Sequence, residues 1–129
     1  DALRPLFSYG DGVLRLARIL IEIAARSGQR LMIDEIDTGF HFSRYPDLWK
    51  VVVLSAKRHD VQLFITTHNE ECLRAFTKLL ASDHMVENQE LARIYTLREL
   101  PNGEIKAYPA QFSGLQFAMA QDIELRGGK

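Results

Sequence analysis

A single cysteine, Cys72, denies this 129-residue chain any internal disulfide. Its stability has to come from packing, and its cysteine usage fits a reducing compartment such as the cytoplasm, where the chain is expected to reside. Charge of one sign is lacking too. Sixteen basic against 17 acidic residues leave a net charge of −1, so no global field draws the chain to nucleic acid or a membrane surface. No apolar run is long and unbroken enough to span a bilayer, and no signal peptide is visible, so no membrane partner is expected. Repeats, low-complexity segments and long linkers are absent as well. What remains is ordinary globular composition, 47% hydrophobic and 26% charged, enough for one domain or part of one with a modest core. The first residue is Asp1 rather than methionine, and the chain is expected to be a piece of something longer.

Hydrophobic spacing organises the first two thirds. In "DGVLRLARILIEIAARSG" the apolar residues Val13, Leu16, Ala17, Leu20, Ile21, Ile23 and Ala24 recur at helical intervals, with Asp11 placed to cap the start and Gly28 to stop the end. "RLMID" reads as a short buried strand, its lack of alternation suiting a parallel sheet covered on both faces. "YPDLWKVVVLSAKRHD" is a second predicted helix, with Pro46 in the first turn where a missing N–H costs little. "VQLFITT" is a second apolar strand. "NEECLRAFTKLLAS" is a third helix, with Asn69 as its cap. Alternation of helix and strand predicts an α/β layered fold with parallel core strands. The tail differs: two β-rich runs flank the turn signal "PNG", predicting a hairpin, and "QFSGLQFAMAQDIELR" predicts a final helix. Residues 1–82 are therefore read as one lobe, and residues 83–129 as a hairpin and helix that complete it.

One stretch resists a purely structural reading. "RLMIDEIDTGFHF" places Asp34, Glu35 and Asp37 directly behind an apolar strand. Three carboxylates in four residues repel one another, and a cation relieves that repulsion. Ligands in open α/β sheets bind beyond the carboxyl ends of the strands. If the two strands are neighbours, Asp34 and Glu35 meet Thr66, Thr67 and His68 in one crevice. Two carboxylates and a histidine can anchor Mg²⁺ through one acid and orient or deprotonate a water through another. Each piece also has a plain structural reading as a solvated loop, a cap or a turn.

The ordered set "FSYGDG", "RLMIDEID" and "FITTH" resembles the second half of an ABC-type ATPase domain, most of all the bacterial AAA-type ATPases related to the overcoming-lysogenization-defect (OLD) nucleases. Those share ATPase features with chromosome-maintenance and double-strand-break-repair ATPases. The resemblance covers roughly residues 6 to 80. It implies a P-loop-type layered fold, of which this chain is the C-terminal lobe, with ATP and Mg²⁺ as cofactors. It aligns Ser8, Gly10 and Gly12 with the signature motif that faces a phosphate from the start of a helix, where free N–H groups and the helix dipole favour an anion. It aligns Asp34 with the magnesium aspartate, Glu35 with the glutamate that polarises the attacking water, and His68 with the histidine that contacts the γ-phosphate. "DTGFHF" falls on the loop that crosses the dimer interface in that family, with His41 where the transporter branch has an aspartate. Asp37 has no assigned counterpart.

The motif G-x-x-x-x-G-K-[ST], which would cradle the triphosphate, occurs nowhere in the chain. The expected partners are accordingly an N-terminal half that carries it, a second copy of the domain, and an effector such as a nuclease, with DNA open as a partner of the full complex. The chain by itself is expected to be inactive. Two other functions stay open at this stage: a metal-dependent phosphodiesterase that uses the carboxylates directly, and an ATPase-like module kept for dimerisation.

Overall fold

The computed structural model describes residues 10–120, with side chains to residue 116. The chain divides into two compact units, Asp1–Cys72 and Leu73–Lys129.

In the first unit, α1 (Asp11–Ala25) leads to β1 (Arg30–Ile33), and α2 (Tyr45–His59) leads to β2 (Gln62–Ile65). The strands pair in parallel with Arg30 opposite Gln62 and Ile33 opposite Ile65. Parallel neighbours need a crossover, and α2 provides it. Pro46 lies in the first turn of α2 as its sequence predicts. The helix ends at Asp60, which takes a left-handed conformation (φ 54°) that aspartate tolerates better than most residues, and β2 begins two residues later. The buried positions of α2, Leu48, Trp49, Val52 and Ala56, recur at three- and four-residue steps. With Ile19 and Ile23 of α1 and Ile33 of β1 they form the core of this unit. Each leucine, isoleucine or valine among them contributes roughly 1.5–3 kcal/mol by leaving water.

Two local expectations are corrected. Asp11 does not cap α1; Gly10 does, with φ 89° and ψ 166°, and Asp11 is the first helical residue. That backbone region is open to glycine and closed to most other residues. Nor is the parallel sheet covered on both faces among the described residues. Met32 is 81% exposed and its register partner Phe64 is also exposed, while Leu31, Ile33, Leu63 and Ile65 on the alternate face are at least partly covered. A two-stranded sheet between one helix pair and solvent has one apolar face left over.

The second unit holds the greater part of α3 (Glu70–Leu80), the antiparallel pair β3 (Ile94–Glu99) and β4 (Ile105–Ala110), and α4 (Phe112–Ala120). The hairpin turns at "PNG" with Gly103 at φ 81°, as its turn chemistry requires. Thr77, Leu80, Met85, Asn88 and Leu115 are buried here. The final helix is described to Ala120; the predicted continuation lies outside the described residues.

Gly12 shows how closely the first unit is built. A Cβ added there would lie 2.7 Å from the carbonyl oxygen of Gly39, in the loop after β1. Gly12→Ala must push α1 away from that loop, and is expected to lower stability by about 1–3 kcal/mol. Gly114→Ala in α4 meets open space and should be neutral or mildly stabilising. Urea denaturation of the two variants checks this; equal midpoints would show that α1 and the loop are not in contact in solution.

Candidate functional site

The acids and the threonine–histidine run emerge from the same end of the sheet because β1 and β2 are parallel and adjacent. The backbone ladder continues past both strands: Thr66 N–H donates to Ile33 O at 3.0 Å, and Ile36 N–H donates to Thr66 O at 3.1 Å. Thr66 then uses its side chain twice. Its Oγ1 accepts from Glu35 N–H at 2.9 Å and donates to Asp34 Oδ1 at 2.5 Å. One hydroxyl thereby fixes the carboxylate of one acid and the backbone of the next. From the other side, a single terminal nitrogen of Arg15 on α1 donates to the carbonyl oxygens of Asp34 at 2.9 Å and Glu35 at 2.8 Å.

Glu35 itself sits at φ 46°, a left-handed conformation that costs a residue with a side chain roughly 1–3 kcal/mol. Its carboxylate is flanked on both oxygens. Thr38 Oγ1 donates to Oε2 at 3.3 Å, and His68 Nδ1 lies 3.4 Å from Oε1. The Glu35 and His68 side chains are 52% and 77% exposed, so the pair faces solvent. Asp34 is exposed as well. The structure thus brings Asp34, Glu35 and His68 together.

Asp37 goes elsewhere. It is buried, and its Oδ1 accepts from Thr67 Oγ1 at 2.5 Å. Thr67 Oγ1 also accepts from Asn69 N–H at 3.1 Å. Asn69 caps α3 as its sequence predicts, its Oδ1 accepting from Cys72 N–H at 3.1 Å, while its Nδ2 donates to the buried Tyr45 hydroxyl at 2.9 Å. Trp49 Nε1 donates to Cys72 O at 2.9 Å. The third acid is therefore a structural member of a buried polar chain between the two loops and α2. Burial, and then the Asp37 charge, hold the Tyr45 hydroxyl above its ordinary pKa, and burial pushes the Cys72 thiol up to about 11.

His41 caps the short 3₁₀ turn Phe42–Arg44, its Nδ1 accepting from Ser43 N–H at 3.4 Å, and its ring packs on Phe42 at 4.2 Å between centroids. Gly10 and Gly12 lie at the head of α1. The need for glycine at position 12 comes from the chain's own Gly39 carbonyl. Ser8, aligned with the same motif, lies outside the described residues.

The family described as "AAA domain, putative AbiEii toxin, Type IV TA system" matches residues 1–74, more than half of the chain. The chain belongs to this family. The AAA domain match ends within α3, and it takes in both strands and all of the residues just described. The chain is also similar to a protein of Helicobacter pylori (strain ATCC 700392 / 26695) named "ATP/GTP phosphatase", with 28% identity over 90 residues. That alignment covers 67% of this chain and 24% of the relative, so the chain spans about a quarter of that relative's length. No solved structure matches.

Arg15 and Thr38 do not stand out in the sequence. Thr66 and Thr67 stand at the strand end as the sequence predicts; neighbouring residues there project differently, and each takes a different carboxylate.

Two measurements follow from the buried chain. Thr67→Val removes the donor to a buried carboxylate and should lower stability by about 1.5–3 kcal/mol, with Thr67→Ser recovering most of it. Equal urea midpoints for Thr67→Val and the unaltered chain would contradict the bond. The raised Cys72 pKa means that the unfolded chain gives up its thiol proton first as pH rises. Its contribution to stability is full below about 9 and is lost progressively toward about 11. At pH 8 the thiol should accordingly resist alkylation in the folded chain and react readily in denaturant.

Proposed function

We propose that this AAA domain supplies the hydrolytic half of an ATP site in an ABC-type ATPase of the OLD-like branch. Asp34 anchors Mg²⁺, Glu35 orients and polarises the attacking water, and His68 contacts the γ-phosphate and that water. The observation that carries this reading is the meeting of Glu35 and His68 at 3.4 Å beside Asp34, at the carboxyl ends of two adjacent parallel strands.

The donor set suits magnesium. Asp34 presents an exposed carboxylate with one oxygen committed to Thr66. Among the described residues no group of three or more histidine, cysteine or acidic side chains could hold a metal unaided. Mg²⁺ binds in this manner, through one or two carboxylates with waters and substrate phosphates completing its shell. Bound there, the ion would neutralise charge on the transferred phosphoryl group. The same finding gives the phosphodiesterase alternative little support, because Asp37 is buried and engaged with Thr67 rather than available to a second metal.

The triphosphate itself is held by a P-loop outside this sequence. The exposed apolar face of Met32 and Phe64 fits a further layer of the same domain. In this reading Gly10 and Gly12, at the head of α1, and Ser8 of the same motif face the nucleotide of a second copy, residues 37–42 approach the dimer interface, and ATP-driven closure works on an attached effector such as a nuclease. The toxin–antitoxin wording of the family's description accords with an effector system.

Two assays test it. The 129-residue chain alone should bind ATP weakly and hydrolyse essentially none. Turnover above background that Glu35→Ala abolishes would overturn the half-site reading. In the whole ATPase, Glu35→Gln should cut turnover about 10²–10⁴-fold while Mg²⁺–ATP still binds. The amide keeps the size of the side chain but supplies neither a base nor negative charge. Asp34→Ala should instead weaken magnesium-dependent binding.

A further inference from the structure

We infer that Arg15, on α1, is a positioning residue that sets the direction of the Glu35 carboxylate by holding the Glu35 backbone in its left-handed conformation. The inference rests on the reading of Glu35 as the group that orients water.

A glutamate at φ 46° does not stay there by preference. Something must hold the peptide on both sides of its Cα. On the amino side, Glu35 N–H is bonded to Thr66 Oγ1, and the preceding carbonyl, of Asp34, is bonded to Arg15. On the carboxyl side, Glu35 O is bonded to Arg15, and the next N–H, of Ile36, is bonded to Thr66 O. The two peptide planes that define φ and ψ of Glu35 are each pinned twice. One partner of each pair is Thr66, just after β2; the other is Arg15. The Arg15 nitrogen that makes both bonds sits where the two carbonyl oxygens converge, and such convergence is what the left-handed turn produces. In an extended backbone successive carbonyls point to opposite sides, and one nitrogen could not reach both.

The rest of Arg15 is fixed as well. Gly39 lies against its stem, at 3.9 Å from Cδ for an added Cβ. Its Nε is buried with no hydrogen-bond partner among the described residues. The side chain accepts an unpaired donor to place the terminal nitrogen between the two carbonyls. Because Arg15 stands one turn from Gly10 and Gly12, any displacement of the head of α1 is carried to the peptide that aims Glu35. Loss of this contact lets Glu35 relax toward ordinary φ values and swings its carboxylate away from His68, without touching Asp34 Oδ1 or its bond to Thr66.

The test compares Arg15→Met, which keeps an unbranched stem and removes every donor, with Arg15→Lys, which restores a terminal donor one bond shorter. In the 129-residue chain, amide hydrogen exchange at Glu35 and Ile36 should accelerate about tenfold or more in the methionine variant relative to β1, and less in the lysine variant. In the whole ATPase, Arg15→Met should lower kcat about 10²-fold, as expected for a small misplacement of a reacting group, while the Kd for Mg²⁺–ATP stays within about threefold. Arg15→Lys should fall between the methionine variant and the unaltered enzyme. A stem that served only to pack would leave Arg15→Met active. Near-normal kcat in Arg15→Met, alongside a Glu35→Gln variant that has lost turnover, overturns the role of Arg15 alone. If Glu35→Gln also retains turnover, the reading of Glu35 falls and this inference falls with it. Should Arg15→Met fail to fold, Arg15→Gln, whose amide ends two bonds short of the arginine's terminal nitrogen, carries the test, and an unchanged kcat there overturns the proposal.

Discussion

The first unit depends on the tie between the loop after β1 and the loop after β2. Two adjacent threonines make it. Thr66 takes the Asp34 carboxylate and the Glu35 amide, and Thr67 takes the buried Asp37 carboxylate. Without these bonds three acids in four residues would repel one another at the end of a strand. With them, two acids have a donor each from the facing loop, and the third, Glu35, is left with its carboxylate toward Thr38 and His68. Parallel pairing of β1 and β2 is what makes the tie available, since only then do the strands end side by side.

The polar chain behind the site extends this constraint into the core. Asp37, Thr67, Asn69, Tyr45 and the Cys72 backbone are joined by hydrogen bonds in the 2.5–3.1 Å range, and Trp49 closes the series from α2. A buried polar group without a partner is costly, so a network of this kind is either well satisfied or destabilising. Here it registers the cap of α3 against the start of α2. The acids that face solvent are thus carried on a loop whose far end is anchored in the interior, which is how a loop can hold a side chain in a strained conformation.

The family match and the geometry carry different parts of the functional argument. The match to an AAA domain over residues 1–74 concerns the family of the chain. The geometry concerns which groups stand together at the ends of its strands. The exposed Met32–Phe64 face is a third element: an apolar sheet surface is unfavourable in water, and a further layer of the same fold would remove it.

The sequence by itself determined the elements. Helical spacing in α1 and α2, the apolar runs of β1 and β2, Asn69 before α3 and the "PNG" turn are local signals with local physical causes, and each element formed near where those signals lie. It also placed Asp34, Glu35 and His68 at strand ends, because an apolar run that stops at a charge marks where a strand leaves the core. Only the tertiary structure decided what each of those residues does to its neighbours. That Asp37 is buried rather than a partner of the other acids, that Gly12 is required by Gly39, and that Arg15 and Thr66 fix the left-handed Glu35 all depend on atoms 19 to 32 residues apart, or 27 apart for the glycines. Periodicity and capping carry no information about such pairs. They arise when β1 and β2 pair and α1 closes over the loop, and the backbone conformation of Glu35 exists only because both have happened.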